Sequence, residues 1–159
     1  MKLADIPKTT QLFWYVLGET LCNMIYDRVE AGQNVDEKKF ADYDKDYADR
    51  KVAGKAAFKG QSQASKSPSP NMRLTGKTMA NLHLLSATKE HAILGWTLEL
   101  QSEIVRGLFG HKNYKIVNIG EGDPFAKEEM DFINKHIEKD IDKKIKEYCR
   151  TPIIIKVGV

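Results

Sequence analysis

Leu82 to Leu98 reads LHLLSATKEHAILGWTL, and this stretch decides the class of fold. Leu82–Ala87 is a short apolar run. From His91 to Leu98, the apolar Ala92, Leu94, Trp96 and Leu98 alternate with His91, Ile93, Gly95 and Thr97. A period of two is the signature of a strand with one sheltered face. The Thr88–Glu90 link is short enough to join the two strands as an antiparallel hairpin.

The segments around the hairpin have a different period. Upstream, Thr9 or Thr10 can cap a helix in which Phe13, Val16, Leu17, Leu21, Met24 and Ile25 recur at spacings of three and four, with Gly32 as its stop. Downstream, Asp123 followed by Pro124 is a start signal for a helix carrying Met130, Ile133, Ile137, Ile141, Ile145 and Tyr148 on its apolar face. Its outer face would pair Asp140 with Lys144 and Asp142 with Lys146. Shorter elements fill the gaps: an exposed helix over Asp36–Arg50 with an edge of Phe40, Tyr43 and Tyr47, a brief helix at Ser102–Phe109, and strands at Tyr114–Ile119 and from Ile153 to Val157. The expected fold is α+β, a small, mainly antiparallel sheet packed by an N-terminal and a long C-terminal helix. With 159 residues, 42% of them hydrophobic and 30% charged, the chain suits a single domain, residues 1–159.

One segment breaks the pattern. Residues 51–77 hold Lys51, Lys55, Lys59, Lys66, Arg73 and Lys77 and no acid, although the whole chain carries only a formal +3. The centre, GQSQASKSPSPN from Gly60 to Asn71, is too polar to bury apolar area and is kept from helix before each proline. We therefore expect a long extended loop or arm inserted in the domain, mobile in the free subunit, with the six basic side chains as the candidate partner-binding set. Lysines placed this way suit either an acidic protein surface or DNA phosphates, and a simple solvated loop would account for them equally.

Catalytic and metal chemistry find no carrier. Gly76-Lys77-Thr78 has Asn71 where a phosphate-binding loop needs glycine. His83, His91, His111 and His136 lack ligand spacing, and no nucleophile elbow or Cys–His signature occurs. Cys22 and Cys149 fall on separate helices and read as reduced packing thiols. The longest apolar runs, Ala92–Trp96 and Ile153–Ile155, are far short of the ~20 residues that cross a bilayer. The expectation is a protein that is not an enzyme and needs no cofactor, metal or membrane.

The order of elements resembles the tail-completion and neck (virion-morphogenesis) proteins of tailed bacteriophages. The likeness rests on the tyrosine-containing segment Tyr43 to Lys51, on Leu74-Thr75-Gly76-Lys77-Thr78-Met79 before the hairpin, and on Pro124-Phe125 at the start of the last helix. That resemblance implies a structural subunit of a head–tail connector, working as a homo-oligomeric ring, a hexamer or dodecamer. Its neighbours would be portal or adaptor and tail proteins, with DNA near the ring lumen. Its place would be the virion neck or tail after assembly in the host cytoplasm. The alternative is a small nucleic-acid-binding module using the basic segment.

Overall fold

Thr10 sets the start of the first helix: its hydroxyl accepts a hydrogen bond from the Phe13 N–H at 3.1 Å, and α1 runs over Gln11–Glu30. The computed structural model describes residues 9–57, 61–71, 77–97, 116–117 and 124–150. The remaining described elements are α2 (Lys45–Val52), the short turn α3 (Lys77–Ala80), β1 (Leu82–Ala87), β2 (Ala92–Trp96) and α4 (Lys127–Arg150). The expected helix at Ser102–Phe109 and strand from Ile153 to Val157 lie outside the described residues. So does most of the strand expected at Tyr114–Ile119, of which Ile116 and Val117 form a bend.

The chain is α+β, with an antiparallel hairpin lying between the N-terminal and C-terminal helices in sequence. β1 pairs with β2 from Leu82 opposite Trp96 to Ala87 opposite Ala92, with a bulge after Leu84 that leaves Leu85 unpaired. Thr88 closes the tip, its N–H donating to the His91 carbonyl and its hydroxyl accepting from the Glu90 and His91 N–H groups. One face of the hairpin lies on α1 so closely that a Cβ on Gly18 would stand 2.6 Å from Leu84 Cδ1. The tip is fastened to the start of α1: Gln11 donates to the Ala87 carbonyl, and Thr9 and Trp14 to that of Lys89.

The core is Cys22, Ile25 and Val29 from α1, with Phe40, Met79, Leu82 and Ile116, and with Leu94, Trp96 and Phe125 at its margin. Burial, with a smaller push from the charge of Glu19, raises the Cys22 thiol to about 11, so it packs as a neutral, unreactive group. Val16, expected on the inner face, is instead exposed beside Leu12 and Tyr15.

Two expected boundaries and one helix face change, each for a physical reason. Asp36–Arg50 is not one helix. The Asn34 side chain accepts from the N–H groups of Asp36 and Lys38, both at 3.0 Å, and so diverts them from any helix. The result is a tight turn with Glu37 at φ 58°, which buries Phe40 to 4% exposure and delays α2 until Asp44 caps it. Tyr43 and Tyr47 do keep their expected edge, ring to ring at 4.8 Å.

The last helix likewise starts at Lys127, after Pro124 and Phe125 have formed a bend. The Glu129 carboxylate reaches back to the Ala126 N–H at 2.9 Å, and Glu37 accepts from the Glu128 N–H at 2.9 Å. Two carboxylates at a helix N-terminus satisfy donors that have no intrahelical partner and oppose the positive end of its dipole.

Further along α4, the expected apolar face is rotated. Ile141 and Ile145 are 44% and 39% exposed, whereas Lys144 is sheltered and paired with Asp140 at 2.5 Å. The helix meets α1 through the Arg28–Glu129 ion pair and through His136 stacked near Phe13 and Phe132, and those contacts set its rotation in place of the isoleucine ridge. Among the described residues, no helix is long and apolar enough to cross a membrane.

Candidate interaction surface

The basic segment is not a uniform loop. Lys51 and Val52 finish α2, and Lys77 opens α3. α2 ends in a tight cap in which Gly54, at φ 73°, donates to the Lys51 carbonyl and Lys55 to the Arg50 carbonyl. This double bond pattern needs a left-handed residue at its centre, the conformation that glycine adopts without penalty. Glycine also leaves room: a Cβ there would lie 3.3 Å from Cε of Lys66, which arrives from the far side of the loop.

Residues 61–71 fold back on α2 through side chains that the sequence presents only as polar filler. Gln63 accepts from the Ala56 N–H and donates to the carbonyls of Lys51 and Ser65, while Asn71 donates to the Ser65 hydroxyl. Pro70 is buried, and its carbonyl lies 2.9 Å from where a Cβ of Gly32 would be, so the loop also rests on the end of α1. The segment expected to be a free arm is thus tied down at both ends of its described length.

Of the six candidate residues, Lys51 is 0% exposed, which removes it from any contact surface. Its ammonium donates to the Tyr43 hydroxyl at 3.2 Å and to Asn71 Oδ1 at 3.1 Å, and sits 4.6 Å from the centre of the Tyr43 ring. Hydrogen bonds and the ring face offset part of the cost of burying a cation. Lys55, Lys66 and Lys77 are exposed, and Lys59 and Arg73 lie outside the described residues. The Lys66 stem reaches Gly54, the neighbour of Lys55 at the end of α2, whereas Lys77 belongs to the approach to the hairpin. Arg50, in the last turn of α2 and 5.9 Å from the Tyr47 ring, lies on the same cap and was missed because the basic segment was drawn from Lys51, although the acid-free stretch opens one residue earlier, after Asp49.

Burial lowers the Lys51 pKa from its ordinary 10.5. The unfolded chain therefore holds this proton more tightly than the folded one. The penalty is complete below the folded pKa and is relieved as pH rises towards 10.5, so this group makes stability increase with pH. Cys22 and Tyr47, both raised, push the other way at alkaline pH. The difference between the parent and Lys51→Met isolates the lysine: its thermal midpoint relative to the variant should rise from neutral pH towards pH 10.5. A difference that stays flat would mean the ammonium is not buried.

A second surface is apolar. Leu12, Tyr15 and Val16 are exposed along α1, Ile141 and Ile145 along α4, and Leu85 and Ile93 on the outer face of the hairpin. Gly95 lets Leu85 lie flat across the strand pair, its Cδ1 2.8 Å from where a Cβ would be. The hairpin has two strands, so among the described residues both of its edges are unpaired.

A shallow cavity of about 520 Å³ borders Met24, Asp27, Arg28, Glu37, Glu128 and Glu129. Its best-placed carboxylates are already engaged, Glu37 with the Glu128 N–H and Glu129 with Arg28 and Ala126. That arrangement acts as a joint between α1, the Glu37 turn and α4. Among the described residues, no group of His, Cys, Asp and Glu is placed to hold a metal ion. In comparisons with known proteins, no family model matches the chain, and no curated protein or solved structure matches it.

Proposed function

We propose that the chain is a non-catalytic structural subunit that assembles with copies of itself, as a ring in the head–tail connector of a tailed bacteriophage. The observation that carries the assembly is the outer face of the hairpin, where Leu85 and Ile93 stand exposed between two strand edges that are unpaired among the described residues. A strand edge is a template for a neighbour's strand, and apolar side chains on the same element add the burial that makes such pairing stable. A head-to-tail contact of this kind repeats, and it closes into a ring when its rotation divides a full turn. The resemblance noted above gives the phage setting, with portal or adaptor and tail proteins as the further partners.

Native mass spectrometry of the full chain tests the assembly. A single closed oligomer, hexamer or dodecamer, is expected. Burying one such side chain contributes about 1.5–3 kcal/mol, so Leu85→Lys with Ile93→Lys should shift the mass to monomer while the far-ultraviolet spectrum is kept. A parent that is monomeric at high concentration, or a double variant that assembles unchanged, would refute the proposal.

A further inference from the structure

We infer that the end of α2 and the loop packed on it form a preformed cationic platform for the phosphate backbone of duplex DNA, carried by Arg50, Lys55 and Lys66. This goes beyond self-assembly and stands on its own residues.

Three basic residues are brought to one helix cap. The Lys55 N–H donates to the Arg50 carbonyl at 2.8 Å, and the Lys66 stem crosses Gly54, the residue between them in the cap. All three side chains are exposed, and no ion pair holds any of them among the described residues. Asp49 precedes the cluster, and from Arg50 to Lys77 there is no further acid.

The loop's position is fixed from below. Lys51 bridges Tyr43 on one side to Asn71 on the other, and Gln63 ties the loop carbonyls to α2. Lys66 is thereby held against Gly54 before any partner arrives, so little ordering entropy opposes contact.

The neighbours of these cations favour phosphate over a protein surface. Among the described residues of the loop, those exposed are Gln61, Ser62, Ala64, Lys66, Pro68 and Ser69, with no large apolar side chain, and at the end of α2 Val52 is the one large apolar residue exposed beside them. Protein interfaces have an apolar core and are depleted in Lys and Ser. Phosphate oxygens are contacted by the side chains found here, Arg and Lys with Ser and Gln. Phosphate contacts carry no base information, so binding would not read sequence.

Anisotropy of a short fluorescein-labelled duplex of arbitrary sequence, titrated with the full chain at several salt concentrations, tests the platform. Three phosphate contacts predict a log–log salt slope of about −2.7, roughly a 40-fold loss of affinity between about 50 and about 200 mM salt. Lys55→Gln with Lys66→Gln should leave one contact, a slope of about −0.9 and a loss of roughly 3.5-fold. The variant's melting temperature should match the parent's, since both side chains are exposed. Absence of duplex binding at the lowest salt overturns the inference, as does an unchanged slope in the variant. Binding of polyglutamate without binding of duplex also overturns it and assigns the platform to an acidic protein.

Discussion

Glu129→Ala should cost about 3–5 kcal/mol of unfolding free energy, read from urea denaturation, because it leaves Arg28 buried without a counter-charge. Arg28 Nε lies 2.7 Å from Glu129 Oε1, and both side chains are almost wholly enclosed. The guanidinium would keep two acceptors, the carbonyls of Ile116 at 2.7 Å and Gln33 at 3.3 Å, and neither carries a full charge. The Ala126 N–H at the start of α4 would lose its acceptor in the same step. Removing both charges together, as Arg28→Met with Glu129→Met, should recover much of that loss, since an apolar pair carries no desolvation penalty. A single variant within about 1 kcal/mol of the parent would show that the pair is solvated, as surface ion pairs are.

Phe40→Ala should destabilise by about 3–5 kcal/mol, the usual consequence of emptying an aromatic site in a core. Phe40 is 4% exposed and packs with Ile25, Val29, Met79 and Leu82, while its N–H donates to the Gly32 carbonyl at 2.8 Å. On an exposed helix edge, where the charges around it suggest it belongs, the same substitution would change stability by less than about 0.5 kcal/mol. Chemical denaturation of this one variant separates the two placements.

Phe40 also marks where sequence patterns stop being informative. α1, its cap at Thr10 and its stop at Gly32 are legible because each is set by neighbours within a few residues. The same holds for β1 and for the turn at Thr88. Phe40 depends instead on the Asn34 side chain taking the Asp36 and Lys38 donors, an option that periodicity does not register. The rotation of α4 depends on Glu129 finding Arg28, 101 residues away, and an isoleucine stripe cannot reveal an ion pair beside it. Lys51 is a similar case. Its spacing from Tyr43 and Tyr47 places it on their face of α2, yet its burial requires Asn71, 20 residues later, to close over it. Within the candidate surface, the sequence bias marks a basic region but counts a structural lysine, Lys51, among the contact residues.

The joint between Arg28 and Glu129 also has a temporal side. A ribosome adds roughly 5–20 residues per second, so the 101 residues between the two partners take about 5–20 s to emerge. The hairpin that covers α1 arrives late as well, its Ala87 following Gln11 by 76 residues. Leu17, Leu21, Ile25 and Val29 are thus synthesised first and enclosed last. For those seconds the nascent chain presents its apolar stripe to solvent, a demand on chaperones that the finished fold no longer makes.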